Sequence, residues 1–150
     1  METPTSPPPL TIIVVEDDPI DVYLIGRVLT AHALAHELHV IDNGDHALPY
    51  VHHLVEQERS SAPTILLLDL HLPQRDGKEI LHEIKAMGHR ADVRVVIVTG
   101  SHNPADRRET LALGADAYFV KPFALQEFMQ LGALIKDVAQ GHTSWQPSPP

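Results

Sequence analysis

The chain contains no cysteine. That excludes disulfide staples and thiolate metal ligands together, and leaves the fold indifferent to the redox state of its compartment. Basic residues are outnumbered, 11 Lys and Arg against 20 Asp and Glu, for a formal charge of −9 and a pI near 5.5. No Lys/Arg cluster offsets this, so the positive face that grips a nucleic-acid backbone is missing. No apolar run approaches the roughly 20 residues that a membrane-spanning helix needs. The N-terminus also lacks a basic segment followed by an apolar signal core, and the expectation is a soluble, cytoplasmic protein. The single tryptophan, Trp145, lies in the C-terminal stretch, so intrinsic fluorescence would report poorly on events elsewhere.

What the chain does have is 43% hydrophobic residues in 150, enough to fill one core and too few for two ordinary domains. The stretches 1–9 and 141–150 are rich in Pro, Ser and Thr and read as mobile, extended tails. The folded part is then 10–140, with no internal repeat. Strand-like apolar runs at Leu10 to Glu16, Glu37 to Ile41, Thr64 to Asp69, Val93 to Thr99 and Ala117 to Val120 alternate with helix-period stretches. Such alternation predicts a doubly wound α/β fold, a five-stranded parallel sheet with crossover helices. Asp18-Pro19-Ile20-Asp21 reads as a helix start, with Asp18 as N-cap and Pro19 in the first helical position, and Asn103-Pro104-Ala105-Asp106 repeats it. Gly88 and Gly114 sit where helices stop in a left-handed conformation. Pro49 falls inside the second helix, expected over Asp45 to Glu58, and predicts a local irregularity. The last helix, Leu125 to Val138, places Leu125, Phe128, Leu131, Leu134, Ile135 and Val138 on one broad face.

Polar groups cap three of the five strands. Glu16-Asp17-Asp18 closes the first, Asp69 the third and Thr99 the fourth, at the carboxyl edge where open α/β sheets place their chemistry. Carboxylates from neighbouring strand ends repel one another and push one pKa upward unless something positive relieves them. With oxygen ligands only, a hard cation suits, Mg²⁺ or alternatively Mn²⁺. Asp18 is accounted for as a helix cap, whereas Glu16 and Asp17 have no such role. Lys121, after the fifth strand, can pair with Asp69 and with an oxyanion attached to it. Thr99 offers a hydroxyl, and the following Gly100 leaves the site open to a small group. A carboxylate nucleophile with a cation, a lysine and a hydroxyl is what phosphoryl capture asks of a protein.

The chain resembles the receiver domain of bacterial two-component response regulators, over essentially all of 10–140. The resemblance rests on Val14-Val15-Glu16-Asp17-Asp18-Pro19, on Leu66-Leu67-Leu68-Asp69-Leu70-His71-Leu72-Pro73 and on Asp76-Gly77. It continues in Val98-Thr99-Gly100 and in Gly114-Ala115-Asp116-Ala117-Tyr118-Phe119-Val120-Lys121-Pro122-Phe123. It implies a flavodoxin-like receiver fold with strand order 2-1-3-4-5 and five helices. It also implies that Asp69 accepts a phosphoryl group from a phosphohistidine on a sensor histidine kinase. Asp17 and Asp69 would contact Mg²⁺ directly, Glu16 through water, and the backbone carbonyl of His71 would complete the protein ligands. Thr99 and Lys121 would bind the phosphoryl oxygens, and the Lys121-Pro122 peptide is expected to be cis. On phosphorylation Thr99 would move toward the phosphate and the ring of Tyr118 pack in behind it, changing the partner preference of the surface around the fourth helix, fifth strand and fifth helix.

Ten residues after Gln140 leave no room for a DNA-binding helix-turn-helix. The resemblance therefore implies output through another protein, self-association or onward phosphotransfer, with no direct DNA binding. The openings of the first and fourth helices look like the stand-alone regulators that include partners of phytochrome-type kinases; such proteins commonly form homodimers, which exposed apolar residues near the last helix would permit. Glu16 stands where aspartate is more usual, and His71 and Ser101 lie where side chains flank the phosphate.

Other readings fare worse. A haloacid-dehalogenase-type phosphatase wants its nucleophile on the first strand and a second aspartate two residues later, where this chain has His71. A flavin binder with the same sheet order needs Gly, Ser or Thr amides in its first loop, where Glu16-Asp17-Asp18 would repel a phosphate. A receiver fold that serves only as a binding module has no need of an intact acidic site. Eleven histidines, among them His32, His36, His39 and the pair His52-His53, invite a zinc reading; without cysteine they read as scattered surface residues that titrate near neutrality.

Overall fold

A computed structural model describes residues 9–57, 63–88 and 92–141. The stretches 1–8 and 142–150, most of both expected tails, lie outside the described residues. The strands are β1 (Leu10–Val15), β2 (His36–Ile41), β3 (Thr64–Leu68), β4 (Val93–Thr99) and β5 (Ala117–Val120). They form one parallel sheet, as the alternation of runs predicts, in the order β2-β1-β3-β4-β5 that the resemblance implies. Between and after them lie α1 (Pro19–Ala31), α2 (Gly44–Gln57), α3 (Gly77–Ala86), α4 (Pro104–Ala112), α5 (Leu125–Phe128) and α6 (Gln130–Ala139).

The central strands are apolar on both faces because both faces are covered. Ile12, Val14, Ile65, Leu67, Val96 and Val98 pack with Ile25, Val28 and Leu29 of α1 and with Leu131, Leu134, Ile135 and Val138 of α6. The alternate residues Ile13, Val15, Leu66, Leu68, Val95 and Ile97 pack with Ala47 and Val51 of α2 and Ile80, Leu81 and Ile84 of α3. The period of two along each strand thus divides the core into two layers.

Two helix starts follow their sequence signals, at Asp18 and Asn103, and Asp76 caps a third. Ile20 N–H donates to Asp18 Oδ1 at 2.9 Å, Lys78 N–H to Asp76 Oδ1 at 2.9 Å, and Ala105 N–H to Asn103 Oδ1 at 3.0 Å. Each bond satisfies one of the donors that a helix N-terminus leaves unpaired. Gly88 and Gly114 both adopt positive φ, 69° and 105°, as the helix stops require.

The structure corrects four expectations. First, α2 runs unbroken through Pro49, one turn from its start, where the helix gives up a single interior hydrogen bond. Second, the last helix is interrupted at Met129. The His32 imidazole Nε2 meets the Met129 carbonyl at 2.8 Å, and its ring lies so close to Gly132 that a Cβ there would overlap it. Leu125, 54% exposed in the first position of α5, does not share the buried face of Phe128, Leu131, Leu134, Ile135 and Val138. Third, the Lys121-Pro122 peptide is trans, the isomer that X–Pro bonds ordinarily favour. Fourth, His32, His36 and His39 are half-buried and bonded, to Met129 O, Leu34 O and the Tyr50 hydroxyl respectively.

Candidate functional site

The register of the sheet assembles the site. Val15 of β1 lies beside Leu68 of β3, so the next residues, Glu16 and Asp69, leave the sheet side by side, and Asp69 N–H donates to Val15 O at 3.2 Å. Leu68 lies beside Ile97 of β4, and Thr99 beside Val120 of β5. Both acids fall one residue past their strands, since β1 ends at Val15 and β3 at Leu68. The sheet's carboxyl edge therefore carries Glu16, Asp69, Thr99 and Lys121 in spatial sequence.

Carboxylate oxygens of Glu16, Asp17 and Asp69 lie within 4.8 Å of one another. Glu16 and Asp69 are buried, 3% and 7% exposed, while Asp17 faces solvent. Lys121 Nζ reaches Glu16 Oε2 at 2.7 Å, Asp21 Oδ2 at 2.7 Å and Asp69 Oδ2 at 3.3 Å. Its own burial disfavours the charge, but hydrogen bonds to Asp21 and Glu16 outweigh that and hold the ammonium above its ordinary pKa. Burial pushes the Glu16 carboxyl up to about 7, against the lowering effect of the Lys121 and Asp18 N–H hydrogen bonds. One ammonium thus serves three acids, Glu16, Asp21 and Asp69, with Asp17 a fourth carboxylate in the cluster. The donor set is all oxygen and over-supplied with negative charge, so it fits a hard divalent cation. Among the described residues no other group of acids and histidines is spaced for a metal ion, so the histidine-rich stretches do not form one.

The Asp69 carboxylate is held at both oxygens. Oδ1 accepts from His71 N–H at 3.3 Å and Oδ2 from Lys121 Nζ. The loop beyond it returns to α3 through an isolated bridge between His71 and Asp76 and through Gly77 N–H donating to Leu70 O at 3.1 Å. Gly77 is obligatory here: a Cβ would stand 2.5 Å from Asp69 O and 2.7 Å from Leu70 Cα, both backbone. Substituting Gly77→Ala is expected to cost about 2 kcal/mol or more, because no flexible side chain can yield; urea unfolding measures it. A groove of about 680 Å³ opens beside Asp17 and the loop that follows Asp69, lined by His71, Arg75, Lys78 and Asp106 among others.

Thr99 is fully buried, its hydroxyl accepting from Ser101 N–H at 3.4 Å. Lys121 N–H donates to Thr99 O at 2.8 Å, tying the two residues across adjacent strands. Tyr118 is buried, its hydroxyl donating to Ser101 O at 3.1 Å, with the Arg107 guanidinium 5.8 Å from the ring centroid. Burial raises the Tyr118 pKa, more than the Ser101 bond lowers it.

The structure brings Glu16, Asp17, Asp69 and Lys121 together, sets Thr99 and Tyr118 on the two neighbouring strands, and adds one residue to the cluster. Asp21 reads in the sequence only as a first-turn acid suited to the helix dipole, yet it shares Lys121 as closely as Glu16 does. Its position one turn after Asp17, on a helix that starts at the cluster, was the available signal.

Compared with known proteins, residues 12–132 match the family model of the response regulator receiver domain. The response regulator Rcp1 of Synechocystis sp. is 35% identical over 126 residues, covering 84% of this chain and 86% of Rcp1. Among solved structures, the phosphorylated cyanobacterial phytochrome response regulator RcpA is similar with a TM-score of 0.73 at 31% identity, covering 92% of this chain and 98% of that one. The Mn²⁺-bound form of Rcp1 gives 0.73 at 32% identity, covering 93% and 100%. No helix among the described residues is long and apolar enough to cross a membrane.

Proposed function

The chain belongs to the response regulator receiver family, and from that premise we propose that Asp69 is its phosphoacceptor, served by a sensor histidine kinase. The observation that carries this reading is the buried Asp69 carboxylate, held by the Lys121 ammonium beside Glu16 and Asp17. An Asp69 oxygen attacks phosphorus and forms the new P–O bond; the P–N bond of the donor phosphohistidine breaks, and its electron pair stays on the imidazole. The His71 N–H and Lys121 orient the nucleophile before reaction. Lys121 and the Thr99 hydroxyl then hold phosphoryl oxygens.

Asp17 and Asp69 would hold a divalent cation directly, Glu16 through water, and the His71 carbonyl would complete the protein ligands. Mg²⁺ is the ion proposed. When bound, it supplies charge neutralisation at the phosphoryl oxygens. The solved Mn²⁺-bound form of Rcp1 supports a divalent ion, and the likeness to the cyanobacterial phytochrome response regulator RcpA supports a kinase of phytochrome type. The proposed output is a phosphorylation-dependent change in protein contacts, homodimerisation included, driven by Thr99 and Tyr118. Exposed Phe123, just ahead of α5, and Leu125, its first residue, support a protein-binding surface.

The test is phosphotransfer. The full chain, incubated with Mg²⁺ and a panel of purified phosphorylated histidine kinases, is expected to take label from phytochrome-type donors faster than from unrelated ones. Size-exclusion chromatography before and after labelling reports any change of assembly. Labelling that ignores chelation of Mg²⁺, or equal rates from every kinase, counts against the reading.

A further inference from the structure

Helices α3 and α4 are joined by one side chain. Lys78, the second residue of α3, donates to Asp106 Oδ1 at 2.7 Å and to Glu109 Oε2 at 2.5 Å, both on α4. The other oxygen of Asp106, Oδ2, accepts from Ser101 Oγ at 2.5 Å. Ser101 in turn offers its carbonyl to the Tyr118 hydroxyl and its N–H to the Thr99 hydroxyl. An unbroken chain of polar contacts therefore runs from α3 through Asp106 and Ser101 to both residues of the expected switch.

A lone surface ion pair contributes little, but this one is shielded, with the Lys78 side chain 25% and Asp106 16% exposed. Asp106 and Glu109 are three residues apart on one helix, a spacing at which like charges repel. With Lys78 between them the repulsion is cancelled and both Asp106 oxygens have a donor. Lys78 and then Ser101 hold the Asp106 carboxyl below the usual carboxylate range. Without Lys78 the Asp106 carboxylate turns toward water, Ser101 Oγ loses its acceptor, and the loop carrying the Ser101 carbonyl is freed.

We propose that Lys78 is a positioning residue for the switch: through Asp106 and Ser101 it holds the loop after β4 in the arrangement that receives the Tyr118 hydroxyl. Lys78 then sets how much of the population has Tyr118 packed inward, with or without phosphate on Asp69. This rests on the reading of Asp69, Thr99 and Tyr118 given above, but Lys78 itself touches none of them in the structure's hydrogen bonds.

The test is ¹⁹F NMR of the full chain labelled with 3-fluorotyrosine. The three tyrosines, Tyr23, Tyr50 and Tyr118, give three resonances, with Tyr118 assigned by Tyr118→Phe. Spectra are recorded in H₂O and D₂O, with and without acetyl phosphate and Mg²⁺. In Lys78→Met and in Asp106→Asn the shielded Tyr118 resonance is expected to move and gain a solvent isotope shift, while Tyr23 and Tyr50 stay in place. Lys78→Arg is expected to retain the wild-type signal, and the double variant to add nothing to either single change. A Tyr118 resonance unmoved in both single variants, or a movement of all three resonances alike, overturns the proposal. If the wild-type chain takes no label at Asp69, the phosphoacceptor reading falls, and the donor-free spectra still decide the part played by Lys78.

Discussion

An Asp69→Asn variant is expected to take no phosphoryl label from acetyl phosphate, a loss of at least about a hundredfold against the parent chain. Asn matches Asp in size, so the two apolar layers and the Val15 O contact of the Asp69 backbone survive. What disappears is the anionic oxygen that attacks phosphorus; an amide is a far weaker nucleophile. Because Asn still accepts a hydrogen bond from His71 N–H or Lys121, circular dichroism and the urea midpoint should change little. Labelling in the variant at full stoichiometry would move the phosphoacceptor elsewhere, with Asp17 the next carboxylate in the cluster.

The second large effect is expected from Lys121→Met, measured in chelator so that no divalent ion intervenes. Glu16 has a folded pKa near 7 against an ordinary 4.5. A carboxyl raised on folding favours the folded state when protonated. The penalty is therefore absent below about 4.5, accumulates as pH rises to about 7, and is complete above; its size is about 3 kcal/mol. Removing Lys121 takes away the ammonium that moderates this rise and leaves Glu16, Asp21 and Asp69 facing one another. The variant should lose about 3 kcal/mol or more relative to the parent at pH 8, and much less at pH 5, where Glu16 carries its proton in both chains. Urea unfolding at the two pH values reads the difference. The same substitution removes a like charge from the cation site and should tighten divalent-ion binding by about tenfold or more. An equal stability loss at both pH values would show that Glu16 does not carry the cost.

How much of this was legible from residues alone follows the range of the interactions. The parallel sheet, the polar strand ends at Glu16, Asp69 and Thr99, and the caps at Asp18 and Asn103 depend on local period and on the alternation of strands and helices, and both are written along the chain, whereas the strand order came from the family resemblance. Asp21 was missed because a first-turn acid already has a sufficient explanation, and nothing nearby announces a lysine 100 residues away as its partner. Lys78 and Asp106 are 28 residues apart on separate helices, each unremarkable on its own surface. The interruption at Met129 is set by His32, 97 residues earlier, so helix periodicity carried across it. Pro49 shows the converse, a local rule overridden because the helix around it is held by Ala47 and Val51 in the core.

The absence of a side chain at Gly77 lets α3 rest directly on the Asp69 peptide and its successor. With no yielding atoms between them, any displacement of that helix would drag the acceptor itself out of line. On the proposed phosphoacceptor reading, a change at Asp69 is then transmitted toward α4 and β5, where hydroxyl, carboxylate and ammonium groups can exchange partners. One flank serves as a stationary reference and the other as the pointer, which makes partner surfaces that must sense phosphorylation belong to the second and those that must ignore it to the first.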